Sequence, residues 1–441
     1  MASTRLEKTF TASNRKTFTI STWIKRSGLT ANNSIYGAGT NDSTDRDYLS
    51  FLADSGEEDK LYFNAKVSSS VVAQFYTNRR FRDTSGWYHI VLAFDTTQAT
   101  DTNRMKLYVN GEQQTFQSQT YPSQNQDMNT NNTVHKIGST IGNNYYFDGS
   151  MSHFHFIDGT AYTASTFGST DSVTGEWKIN TSPSVTYGTN GFFILKDGNS
   201  VTDQSGNSNN FTVGGGTLTN TEDCPSDVFS TLNPLYYAAS QYTLSQGNNS
   251  IVYATDSSRS AFGTIGMTDN LGKFYWEVKI VSDSNNKGAY GICDDLYPDL
   301  NATGAFIDYA GGYGYFANGQ SYNGGTGASF GNAITTGDIV GVALDMDNLK
   351  LYFSKNGTWQ NSGDPTSGST GTGAAYTVAS GKTYLPAIRV RNGTNCAFNF
   401  GNGYFGSTAI SSEGTNASNI GKFEYDVPTG YTALSTKGLN E

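Results

Sequence analysis

The sequence predicts an all-β chain built as two tandem antiparallel β-sandwiches. Three observations carry that prediction. The 441 residues exceed one ordinary all-β domain, and two of roughly 150–250 residues each are the natural count. Aromatic residues make up 13% of the chain, and 50 Gly stand against 8 Pro. Large rings fill a core with few residues, and short aromatic or β-branched runs separated by Gly, Ser, Thr and Asn read as strands and turns. Finally, no stretch keeps apolar residues at i, i+3, i+4 and i+7 for three turns. At most Thr163–Phe167 makes one helical turn, with Thr163 as its N-cap.

In the first half, Thr17–Lys25 alternates. Phe18, Ile20 and Ile24 face one way, and Thr17, Thr19, Ser21 and Lys25 the other, which describes a half-buried strand. Leu61–Val67 is another strand. Gly86–Asp95 is apolar on both faces, as a central strand is. Met105–Val109 ends at Asn110-Gly111, a pair that tolerates the positive φ of a type I′ hairpin turn. Tyr145–Ile157 and Gly191–Leu195 repeat the pattern. In the second half, Lys273–Ile280 lines up Phe274, Trp276, Val278 and Ile280 on one face, and Asp338–Asp345 reads as central. Leu349–Ser354 ends at a second hairpin, Asn356-Gly357, and Tyr384–Val390 and Cys396–Gly401 close the set. Ser123–Thr133 and Asp364–Ala375 read as exposed loops. The expected division is a sandwich over 1–215, an irregular linker over 216–261, a second sandwich over 262–405 and a C-terminal extension over 406–441.

A net charge of −10 argues against nucleic acid, whose binding needs clustered Lys and Arg. No run reaches ~18 apolar residues, so no membrane insertion is expected. Met1–Lys8 lacks an apolar signal core, so synthesis in a cytosol is expected. Cys224, Cys293 and Cys396 match no zinc spacing and are expected to be free thiols. A Cys293–Cys396 bridge would need an oxidising compartment.

Phe18–Lys25, Trp87–Asp95, Leu107–Gly111, Phe147–Met151 and Ile157–Gly159, in that order, resemble the laminin-G-like branch of the concanavalin A-like jelly rolls. Gly272–Val278, Gly288–Ile292, Gly337–Asp345, Phe353–Gly357 and Asn399–Gly401 resemble a SPRY domain. That order of domains, with the tail Phe423–Leu434, is similar to virion-associated proteins of marine tailed phages. The resemblance implies a non-enzymatic protein on the outer surface of a virion, made in the host cytoplasm: a tail fibre, adhesin or head-decoration component. Its partners would be other virion structural proteins and a host surface glycan or protein, and it would form a homo-oligomer. A bacterial carbohydrate-binding lectin and a glycan-cleaving jelly-roll enzyme are the alternatives.

Site chemistry is sparse. Glycosidases need two flanking carboxylates about 5–5.5 Å apart for retention. Glu57-Glu58-Asp59 is adjacent rather than alternate and reads as a solvated turn, so no catalytic residue is assigned. His153-Phe154-His155 places two imidazoles on one face, but a zinc site needs more ligands; the plainer reading has Phe154 and Phe156 facing the core. No cofactor is expected beyond possible calcium. The rim loop with Asp42, Asp45 and Asp47 is its weak candidate site, and a solvated loop is the plainer reading. Sugar binding would use exposed aromatics beside Asn, Asp and Gly. Tyr313, Tyr315 and Tyr322 in Gly311–Gly324 have that chemistry, although a routine strand and loop has it too. Trp359 is either an exposed anchor or a lid on the core. Asp294 and Asp295, in the acidic loop Asp294–Asp299, complete the candidate ligand-binding set.

Overall fold

The computed structural model describes every residue except 1–2, 30, 197, 199, 236–240, 298–303 and 441, and all counts below are of the described residues. Two compact units divide the chain, Met1–Asn220 and Thr221–Glu441. Among the described residues neither contains an α-helix; the helical pieces are short 3₁₀ turns.

The first unit is a jelly-roll sandwich. Its eight-stranded sheet runs from edge to edge as Phe116–Thr120, Ser70–Arg80, Lys60–Val67, Asp45–Phe51, Asn33–Asn41, Val134–Ile137, Arg5–Thr9 and Thr212–Gly215. The facing six-stranded sheet runs Phe192–Ile194, Gly149–Asp158, Thr17–Arg26, Tyr88–Asp95, Met105–Val109 and Glu112–Gln113. Phe18, Ile20 and Ile24 point into the core with Phe63, Phe75, Ile90, Leu92 and Phe156, as the alternation requires. Asn110 and Gly111 take φ of 48° and 85° in the hairpin. A Cβ on Gly111 would also meet the Trp177 ring at 2.4 Å, so this glycine serves the turn and a packing contact together.

Thr19 and Ser21, expected on the solvent side, are 0% and 1% exposed. The chain from about residue 160 to 187 folds back over that face as a strap. It carries a 3₁₀ turn at Ala164–Thr166 and a small hairpin of Gly168–Thr170 with Trp177–Ile179. Thr163 precedes the turn as expected, but its side chain makes no capping bond; its hydroxyl lies 2.9 Å from that of Ser165. Under the strap, Phe167 and Ala164 pack on Val91, Tyr108 and Ile157 in a separate apolar cluster.

The second unit is also a sandwich. One sheet has nine strands around Lys273–Ser282 and Ile339–Asp345. The other has six, in the order Arg259–Phe262, Tyr384–Val390, Ala289–Asp294, Gly312–Phe316, Gln320–Asn323 and Thr326–Ser329. The stretch 216–261 is not an irregular linker throughout. Thr243–Ser245 and Ser250–Tyr253 join the nine-stranded sheet, Arg259–Phe262 joins the other, and Phe229, Leu232, Ile251 and Tyr253 are buried in the core. Short strands with only one or two apolar residues per face give too little period to read in a polar context. Residues 406–441 are likewise part of the fold. Thr432–Ala433 pairs in parallel with Phe274 and Tyr275, and Phe423, Val427, Tyr431 and Leu434 are buried.

A buried carboxylate fastens this tail. Glu277 is 0% exposed and accepts from the main-chain N–H groups of Glu424 and Tyr425 at 2.9 Å each. It also accepts from Asn399 Nδ2 at 3.2 Å and the Tyr275 hydroxyl at 3.1 Å. Burial pushes its pKa up to about 7 despite those four donors.

Candidate binding face

The structure disperses the residues singled out from the sequence. Tyr313 and Tyr315 are core residues, not stacking platforms. Their strand alternates so that both point inward, where Tyr315 is 0% exposed and packs on Phe353 with ring centroids 5.6 Å apart. Tyr322 lies on the opposite face, half-buried against Phe316 at 5.2 Å. Trp359 is half-buried against the main core beside Tyr275, which is the lid reading. Asp294 is buried and is 3.6 Å from Lys382 Nζ. Asp295 is exposed, and Asp299, at the end of the same loop, lies outside the described residues.

The calcium candidates are not brought together. Asp42 Oδ1 accepts from the Gly142 N–H at 2.8 Å, and Asp45 Oδ1 from that of Ser68 at 2.9 Å. Asp47 turns inward to Asn129, whose main-chain N–H and Nδ2 lie 2.8 and 2.9 Å away. Burial moves the Asp47 pKa up to about 7. Among the described residues no group of three His, Cys, Asp or Glu side chains is placed to hold a metal ion. The Glu57–Asp59 turn is only partly solvated: Asp59 is buried and paired with Arg26 and Arg82. All three cysteines are free, with Cys293 and Cys396 buried.

The arrangement best suited to recognition lies on the outer face of the eight-stranded sheet. Strand pairing sets two parallel rows there. Ser50, Tyr62, Tyr76 and Ser118 form one; Tyr48, Asn64, Gln74 and Thr120 form the other. Tyr62 and Tyr76 are half-buried, with ring centroids 4.6 Å apart and planes inclined by 40°. Burial and the neighbouring Tyr76 raise the pKa of the Tyr62 hydroxyl, so it stays protonated and can donate. In the second row Arg46 donates from Nε and Nη2 to Asn64 Oδ1 at 3.1 and 2.9 Å. Asn64 Nδ2 donates in turn to Gln74 Oε1 at 3.0 Å. The Arg46 guanidinium sits 4.8 Å from the Tyr48 ring centroid. The Tyr48 hydroxyl is buried and has no hydrogen-bond partner, an exception among buried polar groups that calls for a reason.

One wall of this face is the loop following Ile137. Gly37 pairs across from Tyr48, and a Cβ there would meet Ser139 O at 3.0 Å and Thr140 Cα at 3.3 Å. Asp42 pins the loop through Gly142, so the acidic loop does shape the face, as a fastening and not as a ligand set. A separate groove of about 290 Å³ opens at the sheet edges, with Met105, Lys106, Gln113, Phe116, Gln119 and Tyr121 in its lining. The sequence did carry a signal for the tyrosine face. In Leu61–Val67 the off-core positions are Tyr62, Asn64 and Lys66, an aromatic ring and an amide where a merely solvated face needs neither.

The family model of the concanavalin A-like lectin/glucanases superfamily matches residues 3–166, and that of the SPRY domain matches residues 273–403. The chain joins a concanavalin A-like domain to a SPRY domain. The tyrosine rows belong to the concanavalin A-like domain; Tyr313, Tyr315, Tyr322 and Trp359 belong to the SPRY domain. A curated relative, the dual specificity protein kinase splA of Dictyostelium discoideum, is 28% identical over 130 residues, 27% of this chain and 5% of the kinase. The match therefore spans a small fraction of that protein. Two solved structures are similar over a somewhat larger share. The SPRY domain of human HERC1 has 17% identity and a TM-score of 0.29, covering 38% of this chain and 96% of that one. A further human SPRY domain has 19% identity and a TM-score of 0.28, covering 36% and 94%. A concanavalin A-like domain joined to a SPRY domain suggests a binding or adhesin-like module.

Proposed function

We propose that the chain is a non-enzymatic recognition protein whose concanavalin A-like domain binds a glycan on the Tyr62–Tyr76 face. One observation carries the reading: a half-buried aromatic pair, Tyr62 and Tyr76, lies beside an ordered amide and guanidinium row. Aromatic faces suit the apolar face of a sugar ring, and amides both donate to and accept from hydroxyls. Neither row contains a carboxylate; Asp54 acts on Tyr62 from beside them, a single carboxyl where glycosidic cleavage needs a pair. The resemblance in domain order supports display on the outer surface of a phage particle. There the chain would dock onto other virion proteins as a homo-oligomer and contact host glycan or protein.

Glycan-array binding followed by calorimetry tests the site. Wild type should bind without releasing reducing sugar. Tyr62→Ala and Tyr76→Ala should each weaken the best ligand by about tenfold or more, ~1.4 kcal/mol, with thermal unfolding little changed. Equal affinity in both variants would remove this face from the proposal. Mass spectrometry and immunogold labelling of purified particles test the placement, and absence of the chain from them would sink it.

A further inference from the structure

The other outer face of the concanavalin A-like domain is closed by the strap of residues 160–187, and its closure runs through two histidines. His89 lies between two indoles: Trp23 stacks on it at 4.8 Å and Trp177 of the strap at 6.0 Å, with planes 18° and 17° apart. Trp177 Nε1 donates to His89 Nδ1 at 3.0 Å. That nitrogen must therefore be unprotonated, which leaves the proton on Nε2, 2.9 Å from Ser21 Oγ. His155, 2% exposed, has Nδ1 2.9 Å from the Tyr187 hydroxyl of the strap. It stacks on Phe193 at 3.9 Å and against Phe167 of the strap at 5.3 Å. Trp177 is seated further by Gly111 and Gly168, where a Cβ would strike its ring at 2.4 and 2.7 Å.

We infer that the strap is an acid-released cover: protonation of His89 and His155 detaches it and uncovers the aromatic face beneath. The bond from Trp177 fills the nitrogen that a proton would need, so His89 cannot become imidazolium with the strap in place. The Ser21 and Tyr187 hydroxyls can accept from these rings, but no carboxylate acts on either, so nothing facing them balances the charge of a buried imidazolium. From their own sheet the groups facing the two rings are Ser21, Trp23, Phe193, His153 and Lys196; from the strap they are Phe167, Trp177 and Tyr187. The ionisable ones that act on these rings are basic. Accordingly burial, and then His153, hold the His89 pKa near 3. Burial, followed by His153, His89 and Lys196, holds that of His155 well below its ordinary value. Both folded values are lowered, so the closed state is favoured above about pH 6.5 and loses ground as pH falls through that value. The face then uncovered carries Trp23, Val91, Tyr108, Ile157 and Phe193.

Opening removes burial under the strap but leaves His153 and Lys196 beside the rings, so the ordinary 6.5 is the ceiling for the open state. One histidine then raises the open-to-closed ratio by at most about 30-fold between pH 8 and pH 5, and the pair by at most about 1,000-fold. Hydrogen exchange of the full chain at the two pH values, corrected for intrinsic rates, reads this ratio from the Tyr162 and Asp158 amides. The first donates from the strap to Thr19 Oγ1 and the second from the sheet to the Tyr187 carbonyl of the strap, so detachment breaks both bonds. The expected result is a rise of that order at both amides while Phe18–Ile24 stays protected. His89→Leu and His155→Leu should each reduce the rise to at most about 30-fold. Loss of protection in strap and core together would mean acid unfolding, and an unchanged strap would mean no latch. Either result on the wild-type chain overturns the inference, whether or not a variant folds.

Discussion

Replacing Glu277 by Gln should abolish a specific slope in the stability of the SPRY unit. The folded carboxyl titrates at about 7 against an ordinary 4.5, because burial outweighs its four donors. A raised folded value means that its contribution is fully present below pH 4.5 and is lost as pH rises through 7. Integrated between pH 8 and 4.5, the gain is about 3 kcal/mol; at pH 5.5 about 2 kcal/mol of it is present. Glutamine keeps the shape but not the titration. It also turns one oxygen into an amide that faces two donors, each costing about 1–3 kcal/mol when left buried without an acceptor. Relief of the buried charge offsets part of that cost at pH 8, so the variant should lose most ground in acid. Urea unfolding at each pH reports the unit selectively if burial of Cys293 and Cys396 is followed. Both thiols are buried here, and a pyridyl disulfide reacts with thiols down to acid pH. Wild-type and variant profiles that run parallel between pH 8 and 4.5 would refute the reasoning, since they would show Glu277 ionised throughout.

Two further outcomes bear on the residues the sequence put forward. Tyr315→Ala should cost about 3–5 kcal/mol, as a large core truncation does, whereas Tyr322→Ala on the half-buried face should cost markedly less; thermal unfolding separates them. Calcium and a chelator should each leave the midpoint of the concanavalin A-like unit within about 1 °C, because Asp42, Asp45 and Asp47 are already committed to separate partners and a ligand shifts stability only by binding the fold. A calcium-dependent rise of several degrees would restore the acidic rim as a metal site.

Much of the strand content was legible because it rests on local pattern. Phe18, Ile20 and Ile24, and Phe274, Trp276 and Val278, declare their inward faces by alternation, and both Asn-Gly pairs mark hairpins by their tolerance of positive φ. What pattern cannot say is which strand face has a second layer above it. Tyr313 and Tyr315 looked like a sugar platform because Gly-Tyr-Gly-Tyr alternates equally well in or out; only the opposing sheet decides. The stretch 216–261 and the tail failed for the reverse reason. Their burial comes from pairing with strands far away in sequence, such as Thr432 with Phe274, and few apolar residues mark it locally.

The same limit explains why the proposed binding face emerges only in three dimensions. Both sheets of the first unit present an off-core face carrying polar and aromatic residues. On the six-stranded sheet these are Ser21, Trp23, His89 and His155; on the eight-stranded sheet, Tyr48, Tyr62, Asn64 and Tyr76. By composition the first set is the better candidate, with two imidazoles and an indole. Yet its partners come from the strap: Trp177 satisfies His89 and Tyr187 satisfies His155, so in the closed state the strap, and not a ligand, occupies that face. Tyr62 and Tyr76 stay half-buried, with ring faces that no further core cluster of the described residues claims. A half-buried aromatic pair on the outer side of a sheet, beside an ordered amide and guanidinium row, is the surface that the proposed glycan would cover; the buried Tyr48 hydroxyl lies below that surface and is not part of the contact.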